Sequence, residues 1–273
     1  MRIGIVAQRG NARAVELAAT LINGIEDDVT VAVDPETARA LDRPATPVER
    51  LSETDLLVSI GGDGTFLFAA RHARTTPILG VNLGEVGFLN AVKPSDAVDA
   101  TRALIEEYEA DGSIQSQPIP RLSASGPGWS LGPAVNEILV QAPQRGRGRT
   151  ITTTVRVGGR EYVDRDVDGI IVATPAGSTA YNLSEGGPLL QPTSGCLVVT
   201  PMSPAPAARP LVVEDDTEVT VEVTGTSAGV VVADGSRSNA VSGAVTATIG
   251  RAGIPAHVAG PGVDLFSALG KLE

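Results

Sequence analysis

Two stretches of this chain bring together residue types that can do phosphate and sugar chemistry. The first runs from Ser59 to Ala73 as Ser-Ile-Gly-Gly-Asp-Gly-Thr-Phe-Leu-Phe-Ala-Ala-Arg-His-Ala. A short apolar run ending at Ile60 meets glycines and then a helical pattern, which predicts a buried strand, a tight turn and a helix start. Gly61, Gly62 and Gly64 carry no side-chain bulk, so backbone N–H groups at the helix start can reach a phosphate, an approach the helix dipole favours. Asp63 sits inside that cradle. A carboxylate repels phosphate unless a metal lies between them or a hydroxyl proton needs an acceptor, so the combination points to chemistry on a nucleotide. The plain alternative is a strand-to-helix turn whose aspartate caps the helix. Neither the Walker pattern nor G-x-G-x-x-G fits this stretch.

The second stretch runs from Asp168 to Gly187. A strand, Gly169 to Ala173, enters a Pro-Ala-Gly-Ser-Thr turn whose hydroxyls and N–H groups can serve a phosphate, a ribose or an adenine; a turn capped by Ser178 or Thr179 is the ordinary reading. Upstream, Asn136 and Glu137 place an amide beside a carboxylate within an apolar strand, Ala134 to Val140. Buried and unpaired, that pair is expensive, so it either faces solvent or meets a polar ligand.

The elements that must hold these residues follow from hydrophobic spacing. Residues 2–7 read as a strand, Asn11 to Ile25 as a helix and Val29 to Val33 as a second strand, the opening of a parallel α/β sheet. Pro35 to Thr54 reads as loop with at most one short helix, Pro77 to Asn82 as a further strand, and Ser95 as the cap of a helix from Asp96 to about Glu109. After Gly112 the segments become short and alternating. Thr152 to Val157 and Arg160 to Val163 around Gly158-Gly159 make a hairpin. Strands are also expected at Cys196 to Thr200, Glu218 to Val223, Gly229 to Ala233 and Ala244 to Ile249. The fold class is therefore an α/β, Rossmann-like N-terminal domain over 1–115 followed by a β-rich, sandwich-like domain over 116–250, with the tail 251–273 returning to the first. His72 and His257 read as structural, Trp129 as a packing aromatic in a loop, and Arg145 to Arg149 as a solvated basic loop or an anion contact. Glu214-Asp215-Asp216 reads as a solvated turn.

Five ordered motifs carry a resemblance that spacing does not: GGDGT at 61–65, GVNLGEVGFL at 80–89, NE at 136–137, DGIIVATPAGSTAYNLSEGG at 168–187 and TPMSPAPAARPLVV at 200–213. In this order the chain resembles the NAD kinase family from Asp55 to about Asp234. The resemblance implies transfer of a phosphoryl group from ATP, another triphosphate or polyphosphate to the adenosine-ribose 2′-hydroxyl of NAD. It also implies a divalent cation, Mg2+ by preference, and a homodimer or homotetramer with NAD lying between domains and subunits. Position by position, Asp63 matches the catalytic aspartate and Gly64 its neighbour in the phosphate-contacting turn. Phe88 matches an aromatic of the adenine pocket, and Asn136 and Glu137 the pair on the ribose hydroxyls. Asp168 matches an aspartate near the nicotinamide end, and Thr179, Ala180, Tyr181 and Ser184 match adenine- and ribose-side contacts. The sequence departs from relatives at Asp164 to Val167, where a basic residue is placed differently, and at Ala205 to Ala208, where relatives often carry a histidine. Two rivals stay open: a lipid kinase that shares the GGDGT turn, and a non-catalytic NADP(H)-binding regulator.

At 273 residues with 42% apolar content, the chain has room for one large or two ordinary domains with ample core. A net charge of -11 disfavours a nucleic-acid backbone or an anionic membrane as partner. Cys196 is alone, which excludes a disulfide framework and a thiolate metal site and makes a reduced, cytoplasmic setting the default; no run approaches a membrane span. Lysine appears only at Lys93 and Lys271. That skew reads either as adaptation to concentrated salt, where a carboxylate-rich surface stays hydrated, or as an ordinary acidic protein from a GC-rich genome. Under the salt reading, the thermal midpoint rises by several degrees from dilute buffer to molar KCl; equal midpoints remove it.

Overall fold

The computed structural model describes residues 1–84, 89–143, 150–202, 208–224, 229–241 and 245–262. The chain forms two compact units, Met1–Ile119 with the tail from Ile254, and Pro120–Gly253.

The first unit opens with β1 (Arg2–Ala7), α1 (Ala12–Ile25) and β2 (Thr30–Val33). Asn11 caps α1 by accepting from the Arg13 N–H, and Ala14, Ala18, Leu21, Ile22 and Ile25 bury one helical face. The stretch read as loop with one short helix holds that helix, α2 (Pro35–Leu41), and a 3-10 turn, Val48–Glu53. Asp34 accepts from the Glu36 and Thr37 N–H groups, and Pro35 occupies the first helical position, where its missing N–H costs nothing. β3 (Leu56–Gly61), α3 (Asp63–Ala73), β4 (Ile78–Asn82) and α4 (Ala97–Asp111) follow. Ser95 does not cap α4. Pro94 starts a 3-10 turn ahead of the helix, and the Ser95 hydroxyl donates to the Asp96 carboxylate instead. β5 (Ser116–Ile119) ends this part of the chain.

The second unit is antiparallel throughout. Its strands are β6 (Leu122–Gly126), β7 (Trp129–Ala134), β8 (Glu137–Gln141), β9 (Ile151–Val157), β10 (Arg160–Val167) and β11 (Gly169–Ala173). After a four-residue helix, α5 (Tyr181–Ser184), come β12 (Cys196–Met202), β13 (Leu211–Glu214) and β14 (Val219–Thr224). β15 (Gly229–Ala233), β16 (Arg237–Val241) and β17 (Val245–Arg251) complete it. The sheets run β10-β9-β14-β17-β6-β7 and β13-β12-β11-β8-β15-β16. Val155, Val221 and Ile249 from one sheet cluster with Ile138, Val140, Ile170 and Val172 from the other. β8 and β11 are buried on both faces, because Leu139, Ile171 and Ala173 pack outward against Tyr181 and Leu190 of the segment that follows β11. Trp129, expected in a loop, lies in β7 and packs against this core.

β18 (Ala256–Ala259) pairs parallel to β4 and antiparallel to β5 in the first unit's sheet, whose order is β2-β1-β3-β4-β18-β5. His257 lies on β18, its Nδ1 within 3.1 Å of the Ser116 hydroxyl. β2 and β3 flank β1 on opposite sides, so the chain reverses direction of winding there and opens a crevice beyond the strands' carboxyl ends. None of the described helices is long and apolar enough to cross a membrane. Among the described residues Phe66 is the largest fully buried side chain, and it anchors α3. Phe66→Ala is expected to cost about 3–5 kcal/mol, read as a lower guanidinium midpoint, while Phe66→Leu keeps most of the stability.

Candidate active site

Asp63 is the first residue of α3, not its cap: Gly62 holds the cap position, and no side chain caps the helix. The Asp63 carboxylate turns instead toward the segment after β4, where its Oδ1 accepts from the Leu89 N–H and from Asn90 Nδ2, both at 3.3 Å. The glycines of the turn divide by purpose. A Cβ on Gly61 would meet the Thr65 side chain and, at 2.9 Å, Gln8 Cβ, so its bareness serves packing. Gly62 and Gly64 have open space at that position, which leaves their backbone accessible to a ligand. Both border a cavity of about 470 Å³ in the β1/β3 crevice, with Gln8, Arg9, Glu36 and Thr65 among its walls. The basic side chain there, Arg9, lies 3.5 Å from Glu36.

In the second unit Asn136 lies in the break between β7 and β8 and Glu137 opens β8, within the stretch Ala134 to Val140 that the sequence reads as one strand. They are only 8% and 7% exposed, so the solvent-facing alternative falls away. Asn136 Oδ1 and Glu137 Oε2 nevertheless have no hydrogen-bond partner among the described residues. Native proteins rarely leave such atoms unsatisfied, and two adjacent ones mark a place where a polar ligand fits. Their backbone is held from both flanks. On one side the Asp234 carboxylate accepts from the N–H groups of Val135 (2.9 Å), Asn136 (2.8 Å) and Glu137 (3.4 Å). On the other, Thr174 donates its N–H to the Asn136 carbonyl at 2.9 Å and its hydroxyl to the Val135 carbonyl at 2.6 Å. Gly177 sits so close to the Asn136 carbonyl that any Cβ would collide with it.

These two constellations lie in segments that match known domains. Residues 3–109 match the ATP-NAD kinase N-terminal domain and residues 135–255 the ATP-NAD kinase C-terminal domain. The chain belongs to the NAD kinase family. It is 50% identical to an NAD kinase of Halobacterium salinarum over 282 aligned positions, covering 100% of both chains, and 49% identical to one of Haloarcula marismortui at the same coverage. Among solved structures it is similar to an NAD kinase from Archaeoglobus fulgidus in complex with ATP, with a TM-score of 0.78 at 29% identity and full coverage of both chains. Yeast NADH kinase complexed with NADH shares the fold, with a TM-score of 0.88 at 20% identity, covering 100% of this chain and 87% of that one.

Within the NAD kinase frame the remaining expected site residues distribute unevenly. Thr179, Ala180 and Tyr181 are half-buried and Ser184 is exposed, all on the segment that covers β11. The Thr179 hydroxyl is spent locally on the Ala176 carbonyl at 2.9 Å. Asp168 is exposed at the junction of β10 and β11, where its N–H donates to the Met202 carbonyl. Phe88, with Glu85 to Gly87, lies outside the described residues, as do Arg145 to Arg149, Ala205 to Ala207 and the tail from residue 263. Asn182 is a staple: its amide donates to the Ser178 and Pro188 carbonyls and its Oδ1 accepts from the Thr200 hydroxyl. Two contacts escape sequence reasoning: Asn90, which carries no sequence signal, donates to Asp63, and Asp234, which holds the backbone of Asn136 and Glu137, lies in a tight Asp234-Gly235 turn with φ of 47° and 62°.

Burial, reinforced by the neighbouring Asp234 carboxylate, raises the Glu137 carboxyl from 4.5 to about 7. Arg121, 2% exposed, is pushed down by burial and partly restored by Asp234. Because the folded state holds the Glu137 proton more tightly than the unfolded chain, its contribution is full below about pH 4.5 and is lost as pH rises through about 7. In the ligand-free protein this loss is expected to be about 3 kcal/mol. Denaturant titrations at steps across that window are expected to show a flatter pH dependence for Glu137→Gln than for wild type.

Proposed function

We propose that the chain phosphorylates NAD at the adenosine-ribose 2′-hydroxyl, using ATP, and releases NADP and ADP. The observation that carries the reading is Asp63 at the head of an uncapped helix, between two glycines whose Cβ positions are open. A side chain that only capped the helix would stand one residue earlier and accept from its first-turn N–H groups. In the proposed step the 2′-oxygen attacks the γ-phosphorus, the bond from that phosphorus to the ADP oxygen breaks, and the hydroxyl proton passes to the Asp63 carboxylate. Phosphoryl transfer goes through a loose transition state, so placement and charge neutralisation supply most of the acceleration. The α3 N-terminus with Gly62 and Gly64 receives phosphate oxygens, while Asn136, Glu137 and the 174–184 segment contact the dinucleotide.

When bound, a divalent cation, Mg2+ by preference, neutralises the triphosphate oxygens. No three His, Cys, Asp or Glu side chains gather as a metal cage among the described residues. A cytoplasmic setting and assembly as a homodimer or homotetramer come with the family reading, and polyphosphate is the alternative donor.

Incubation with ATP, Mg2+ and NAD, followed by a dehydrogenase strictly dependent on NADP, tests the reaction. Tight NADP binding without NADP formation favours a regulator, and labelled phosphate on a lipid favours a lipid kinase. Asp63→Asn is expected to lower NADP formation by about 10²–10⁴-fold while NAD affinity stays within a few-fold. Wild-type turnover by that variant removes Asp63 from the role of base.

A further inference from the structure

We infer that Asn90 is the positioning residue for Asp63, an inference that rests on the reading of Asp63 as base. Asn90 is fully buried, and its Nδ2 donates to Asp63 Oδ1 at 3.3 Å beside the Leu89 N–H. A carboxylate only accepts, so the amide must turn its NH2 group toward Asp63 and its oxygen away. That leaves Asn90 Oδ1 on the side of Gly80, buried and with no partner among the described residues. Gly80 makes room for this arrangement. Any Cβ there would collide with Asn90 Oδ1 and would stand 2.7 Å from the Leu89 carbonyl. The Val92 N–H donates to the Gly80 carbonyl and the Asn82 N–H to the Val92 carbonyl, which ties the segment bearing Asn90 along β4. Ser59 pairs with Gly80 in the β3/β4 ladder, and its hydroxyl too is buried without a partner.

An apolar side chain at position 90 would fill this space without leaving an unsatisfied amide oxygen. The buried oxygen is the cost of an amide whose other end has a task, the contact with Asp63. Two donors on one oxygen fix the rotation of the carboxylate at the mouth of the glycine turn.

The test uses the full chain. Asn90→Ala is expected to lower kcat about tenfold with KM for NAD within twofold, since Leu89 still donates. Added to Asp63→Asn, it is expected to leave the residual single-turnover rate unchanged within twofold, because its effect runs through the carboxylate. A tenfold fall in both backgrounds, or no fall in wild type, overturns the proposal. A second measurement is independent of activity. Asn90→Asp sets two carboxylates against each other and is expected to lower Tm by about 3 °C or more. The swapped pair Asp63→Asn with Asn90→Asp faces an amide with a carboxylate again and is expected to regain most of that loss; failure to regain it overturns the contact. If Asp63→Asn alone turns over at the wild-type rate, the base reading fails, and the kinetic role of Asn90 fails with it, whatever the thermal swap shows.

Discussion

The carboxylate of Asp234, accepting three successive backbone N–H groups from Val135 to Glu137, is the contact on which the second unit's polar residues depend. β7 and β8 part here, so these N–H groups need acceptors other than a sheet neighbour. A charged acceptor at about 2.9 Å is stronger than a neutral one, and it is returned by the Asp234 N–H bonding the Glu137 carbonyl at 3.1 Å. With Thr174 gripping the opposite edge, the backbone has no freedom to swing the two side chains outward. That is how the fold keeps an amide oxygen and a carboxylate oxygen buried without partners among the described residues, a state each would otherwise leave by rotating toward water. The same carboxylate adds to the burial that raises the Glu137 carboxyl, so one group sets both the place and the charge of its neighbour.

How legible this was from the residues differs by the range of the interaction. Strand and helix periodicity is local, and α1, β3, β4 and the β9/β10 hairpin are readable from it. Pro35 suits the first turn of a helix behind an aspartate cap, which places the one short helix of its stretch at its start. Ser95 misleads: a good capping residue is bypassed when the preceding Pro94 begins a 3-10 turn. Asn136 and Glu137 were conspicuous by cost, a polar pair in an apolar run. Asp234 was not, since the residue that completes their support lies 98 positions away and forms an ordinary Asp-Gly turn.

Glycine shows the limit of motif reading most clearly. In the GGDG turn three identical residues do two different jobs: Gly61 admits Thr65 and Gln8, whereas Gly62 and Gly64 stand against open space. Gly80, Gly177 and Gly187 are required by what approaches them, namely the Asn90 amide, the Asn136 carbonyl and the Asn182 amide. Sequence spacing marks all six as turn or strand punctuation. Only the atoms opposite each one separate a glycine that receives a neighbour from one that leaves room for a substrate.

Charge raises a further question for an enzyme of polyanionic substrates. The chain carries a net charge of -11 and two lysines, and Arg9 at the crevice is already paired with Glu36. Long-range attraction therefore contributes little to capture. In molar salt the Debye length shrinks to about 3 Å, so exposed cations would steer a triphosphate poorly in any case. Contacts made at hydrogen-bond distance are not screened in this way. Backbone N–H groups at an uncapped helix start and, in the second unit, buried amide and carboxylate oxygens act at that range, where discrimination rests on fit to a ligand's donors and acceptors.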